Sequence, residues 1–138
     1  MRLVRWRGAA TVAEPLLVVL HVGYLWLVVA LALLGLSVLT PVVPPVAATH
    51  AMTAGAAGMM MLAVMTRVTL GHTGRTLHAD GLTVAVYVLG ALAAILRLAA
   101  AWDAGPVDDL LGASAICWIA AFSLFALRYG PMLVRKRP

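Results

Sequence analysis

The sequence predicts an all-α fold: a polytopic membrane protein built as one four-helix transmembrane bundle. Three observations predict it. Of the 138 residues, 64% are hydrophobic and only 11% are charged, whereas a soluble domain carries about a quarter charged residues. A 14.5 kDa globule cannot hide that much apolar surface from water, so its solvent is a lipid bilayer. Four apolar runs, 15–38, 46–70, 81–101 and 110–130, each supply the roughly 20 residues that cross a bilayer core of about 30 Å. The third observation is the placing of charge. Arg2, Arg5 and Arg7 precede the first run, Arg135, Lys136 and Arg137 follow the last, and Arg67 and Arg75 flank the middle link. The first link has no charge, and the third holds Asp103, Asp108 and Asp109 without a base. By the positive-inside rule both termini and the middle link are cytoplasmic. Mapped in this way, the net charge of +5 excludes a nucleic-acid partner. The runs fill almost the whole chain, so a single transmembrane domain spans 1–138.

The first helix has a start signal. Thr11 and Glu14 have capping-box spacing, and Pro15 falls in the first turn, where a missing N–H costs little. The run is too long for a signal peptide and lacks a clear small-residue cleavage site, so it reads as a retained helix. His21, Tyr24 and Leu25 share one face at 100° per residue, with His21 roughly 9 Å inside the end of the helix. An ionisable group at that depth faces the bundle interior by default. It serves there either as a neutral hydrogen-bonding histidine or as a ligand or proton relay.

The first link, Thr40 to Pro45, contains three prolines and keeps the chain extended. The second helix then carries Ala51, Ala54, Gly55, Ala57 and Gly58, a smooth side that lets another helix backbone approach. Its methionines could bind copper(I) through their thioethers or simply fill space. His50 starts this helix and Arg67 ends it, about 25 Å apart along the axis, too far for one small site. The run Gly71-His72-Thr73-Gly74-Arg75 follows. Two glycines three apart predict a turn with converging N–H groups. With His72, Arg75 and His78 it reads either as an anion or haem-propionate site or as a cationic anchor. Asp80 is placed to cap the third helix.

The third helix sets Thr83, Tyr87, Gly90, Ala94 and Arg97 on one stripe. Arg97 lies at roughly the level of His50, where it snorkels, pairs with Asp103, or holds a ligand acid group. On the fourth helix Asp108 and Asp109 suit the N-terminal dipole, and Ser114, Trp118, Ala121 and Phe125 form a face. Arg128, Tyr129 and Pro131 are expected to close it. Cys117, the only cysteine, is expected to be a small buried residue. No nucleotide-binding loop or hydrolase motif is present. Four histidines without sulfur partners leave haem b or copper as the metals that this chemistry could take.

Two stretches, LAVMTRVTLGHTGR at 62–75 and HAMTAGAAGM at 50–59, closely resemble the signature of the NnrS family. Arg5 to Gly8, EPLL at 14–17, LHVGYLW at 20–26, Arg97 and Trp118 also fit its pattern. The resemblance covers essentially the whole chain. It implies a multi-pass protein of the bacterial inner membrane, associated with nitric oxide metabolism and denitrification, that contains haem and copper. By matching position it offers His21, His50 and His72 as metal or haem ligands, with Arg67 and Arg75 in support. It also implies that the chain corresponds to the C-terminal portion of longer relatives. It would then act with a companion chain, as a homo-oligomer, or as a fragment without independent activity. The alternative from a different class is a cofactor-free structural or assembly subunit of a larger membrane complex.

Overall fold

A computed structural model describes residues 14–134. Among the described residues stand four helices long and apolar enough to cross a membrane: α1 (Pro15–Leu39), α2 (Pro45–His72), α3 (Gly81–Ala100) and α4 (Val107–Val134). No strand occurs among them. The first three helices begin and end within two residues of expectation. The fourth begins at 107 rather than 110 and continues to 134 rather than 130.

The chain runs up and down in two hairpins, α1 against α2 and α3 against α4, with α2 also touching both later helices. In its most apolar stretch α2 is 44% buried, against 17–33% for the other three. It is therefore the central helix. Lipid-side residues such as Leu25, Leu31, Ile116, Ile119 and Leu127 are all more than half exposed.

Helix α2 is not uniform. It is α-helical over Pro45–His50, π-helical over Ala51–Ala57, and α-helical again over Gly58–His72. Seven small or unbranched residues, alanines and Gly55 among them, let the wider turn form without crowding. The Thr53 hydroxyl donates to the Thr49 carbonyl at 2.8 Å, a side-chain insertion of the kind that disturbs the regular ladder.

Two of the small residues of α2 pack against aromatic side chains of neighbouring helices. A Cβ on Gly55 would fall 2.5 Å from the Trp26 ring of α1, and one on Gly58 would fall 2.6 Å from Trp118 of α4. Two indoles thus grip α2 from different helices. Met60 fills the space over Gly23, and Leu62 and Met59 fill that over Gly90. These two methionines complete packing where glycine leaves a gap, as the flexible thioether chain does well. Below them Leu16, Val19, Val86, Phe125 and Tyr129 form the core, with the Phe125 and Tyr129 rings stacked at 5.0 Å.

The helix ends follow from backbone chemistry. Gly74 has φ +70°. Its N–H donates to the Gly71 carbonyl, and that of Arg75 donates to Leu70 at 3.0 Å. This is a Schellman close of α2. The two amides expected to converge on an anion are therefore taken by the helix's own carbonyls. Gly71 lies inside the last turn. Asp103, at φ +49°, closes α3 in the same way, with Ala104 N–H donating to the Ala99 carbonyl.

At the start of α1, Glu14 itself takes the N-cap position without a side-chain cap bond, and Pro15 is the first helical residue. Glu14 is therefore not the inner member of a capping box. Its expected partner Thr11 lies outside the described residues, as do the basic residues before 14 and after 134. Pro131 does not end α4, which continues through it to Val134. Trp102 Nε1 donates to the Val42 carbonyl at 3.3 Å, tying the first link to the third at one end of the bundle. That end bears Asp103, Asp108 and Asp109 and is called the acidic end here. The opposite end bears Arg67, His72, Arg75, His78 and Arg128 and is called the basic end.

Candidate functional site

Towards the acidic end, α2, α3 and α4 surround a cavity of about 490 Å³. His50 enters it from the last α-helical turn before the π stretch, followed by Thr53 and Ala54 from that stretch. Arg97 enters from α3, and Ser114 and Trp118 from α4. The Ser114 hydroxyl is not directed at a ligand, because it donates to the Ala93 carbonyl at 2.8 Å. What faces the space is one imidazole, one guanidinium and an indole wall. The expected level match of His50 and Arg97 is thus realised as a shared cavity. Among the described residues the one ion pair is Arg128–Asp80, so Arg97 is not paired with Asp103.

The other expected ligands are elsewhere. His21 is half-buried, and its Nδ1 donates to the Leu17 carbonyl one turn back at 2.8 Å. A carbonyl only accepts, so this bond places a proton on Nδ1. Its expected face-mates Tyr24 and Leu25 are 44% and 61% exposed. His72 is exposed and shares with Arg67 a separate cavity of about 530 Å³ at the basic end. Arg75 lines a third cavity with Arg128. The histidines His21, His50 and His72 therefore do not form one site. No three of His, Cys, Asp and Glu converge among the described residues. A haem asks for less: one axial imidazole and a cation for its propionates. The His50–Arg97 cavity has both.

At the start of α3 begins a polar chain, of which the sequence foretold the first bond, the Asp80 cap. Asp80 accepts from the Thr83 backbone N–H at 2.9 Å and from the Thr83 hydroxyl at 2.6 Å. Its other oxygen accepts from Arg128 Nε at 2.9 Å and Nη2 at 2.8 Å. The Thr83 hydroxyl, the backbone N–H bond and Arg128 hold the Asp80 carboxyl down to about 2. Thr83 also bonds the hydroxyl of Tyr129. Thr66, fully buried, donates to the Leu62 carbonyl at 2.7 Å. The Tyr87 hydroxyl is buried beside it. The signal for this chain was visible as threonines and tyrosines at helical spacing, yet their pairing depends on how α3 sets against α4.

Four apolar helices, a cationic end and an ionisable cavity within the apolar zone define a polytopic α-helical membrane protein. The family model described as NnrS protein matches residues 1–137. The chain belongs to the NnrS family. Comparison with curated proteins and with solved structures gives no match.

Proposed function

We propose that this NnrS-family chain binds haem b in the His50–Arg97 cavity and takes part in handling nitric oxide. The observation that carries the reading is that cavity: a histidine and an arginine from different helices facing one space, walled by Trp118. His50 would supply the axial nitrogen, and Arg97 would neutralise a propionate and set the orientation. Trp118 and the neighbouring lipid-side residues would exclude water from the macrocycle. A bound haem would supply an iron centre able to take a small diatomic ligand. The π-helical stretch beside His50 suits the proposal, since such stretches are frequent at functional sites. Copper remains the second metal of the proposal. The inner membrane of a bacterium, with both termini cytoplasmic, is the location that fits the charge pattern.

The second reading is the cofactor-free assembly subunit; Trp26 and Trp118 cover Gly55 and Gly58 of α2, and Ala57 stays exposed. The test is an optical spectrum of the protein purified in detergent after expression with ample haem. A Soret band is expected, lost in His50→Ala and shifted or weakened in Arg97→Gln, while His72→Ala retains it. A wild-type protein without a Soret band would end the haem reading. A band that survives His50→Ala but not His21→Ala would move the site to α1.

A further inference from the structure

We propose that the basic end holds a specific site for an anionic phospholipid of the phosphatidylglycerol type, with its phosphate between Arg75 and Arg128. A cavity of about 440 Å³ lies there, lined by both arginines and by Leu82, Leu124, Leu127 and Pro131. The charge balance leaves the site positive. Asp80 is the one carboxylate beside it, and Arg128 directs both Nε and Nη2 to a single oxygen of Asp80. The Arg128 Nη1 edge is turned to no acid, and Arg75 forms no ion pair among the described residues. Two guanidinium groups against one carboxylate suit a single phosphodiester, which arginine binds through two parallel N–H donors.

The wall of the cavity decides in favour of lipid over a free anion. Leu127 is 73% exposed and Leu82 is 40% exposed. Leu124 lies one turn deeper on α4, so an acyl chain can follow Leu127 and Leu124 towards the bilayer centre. The cationic pair sits at the basic end of the bundle, Arg75 just past the end of α2 and Arg128 beside the start of α3, the level at which basic pockets between transmembrane helices take anionic lipid. Pro131 adds a feature specific to the headgroup. It has no N–H to give to the Leu127 carbonyl, so that oxygen can accept from a headgroup hydroxyl. Glycerol carries such donors and keeps the net negative charge. The site is independent of the haem reading, since none of its residues touches the His50 cavity.

The test is native mass spectrometry and thermal melting of the haem-free protein in neutral detergent, titrated with phosphatidylglycerol, phosphatidylcholine or inorganic phosphate. Phosphatidylglycerol is expected to form a persistent one-to-one adduct and to raise the Tm. Phosphatidylcholine and phosphate should do neither. Arg75→Gln should weaken the adduct about tenfold, the loss of one charge-assisted contact, with Arg75→Lys between it and wild type. The Lys variant keeps the test informative where the Gln variant folds poorly. Equal retention of phosphatidylglycerol and phosphatidylcholine would overturn the proposal, as would a wild-type adduct in Arg75→Gln. Stabilisation by inorganic phosphate alone would replace it with a simple anion site.

Discussion

Tyr129 donates its hydroxyl proton to Thr83. The direction follows from the neighbour: the ionised Asp80 carboxylate only accepts, so the single Thr83 proton goes to it, and the remaining Thr83 lone pair takes the proton of Tyr129. The order tyrosine, threonine, aspartate, arginine joins the core of α4 to the start of α3 and back to α4. Both hydroxyl-bearing residues are almost wholly buried, so neither has water as an alternative.

Tyr129→Phe should therefore lower stability by about 1–2 kcal/mol, and Thr83→Val by more, because it strips Asp80 of a donor and strands the tyrosine hydroxyl. The double variant should cost less than the sum of the two. Thermal melts of the three variants in one detergent give that cycle. Strict additivity would show that the bond contributes nothing.

Asp80 gives the protein an acid limb. Its carboxyl is held at about 2 against an ordinary 3.8. A group depressed on folding stabilises fully above its unfolded value, and that contribution disappears as pH falls through the folded value. The gap in Tm between wild type and Asp80→Asn should be constant at neutral pH and close between about pH 4 and pH 2. At 40% exposure of the side chain, solvent screening keeps the whole effect near about 1 kcal/mol.

Glycine in a helix interior is ordinarily improved by alanine, by about 1 kcal/mol. Gly55→Ala should do the reverse, because the new methyl meets the Trp26 ring. Gly35→Ala meets nothing within 4 Å and serves as the stabilised control. Pairing Gly55→Ala with Trp26→Leu should restore much of the loss. A Gly55→Ala protein with an unchanged melt would refute the indole contact.

The two Schellman closes predict opposite signs. Gly74→Ala forces an L-residue to φ +70° and should cost about 1–2 kcal/mol. Asp103→Gly relieves φ +49° and should gain up to about 1 kcal/mol, measured as Tm. Neither residue lines the His50 cavity, so haem binding should be unchanged in both.

The residues also show why some features were readable and others were not. Hydropathy and helical rise depend on one chain alone, so four spans, the Asp80 cap and the common level of His50 and Arg97 could all be read in advance. Azimuth and partner choice depend on neighbours. Arg128 finds Asp80 only because α4 packs on α3, and Trp26 and Trp118 reach Gly55 and Gly58 only because α2 lies between their helices. The glycine pair Gly71 and Gly74 marked a turn correctly, yet the fate of its amides was decided by the carbonyls at the end of α2. The facing of His21 was not legible, because α1 is apolar on every side and its sequence alone does not choose a face.

The π-helical stretch makes the His50 cavity tolerant of one change in counting. A π turn holds more residues than the α turn it replaces. Deleting one alanine within Ala51–Ala57 would let α2 relax into a continuous α-helix, with everything from Gly58 onward undisturbed. Because the π turn already holds the extra residue, the part before the deletion would keep its register, and His50 would stay beside Arg97 without strain passed to either flank. The same deletion in a regular α-helix would turn the preceding part by about 100° and move it about 1.5 Å. The fold could thus accept the loss of a single codon there and keep its cavity.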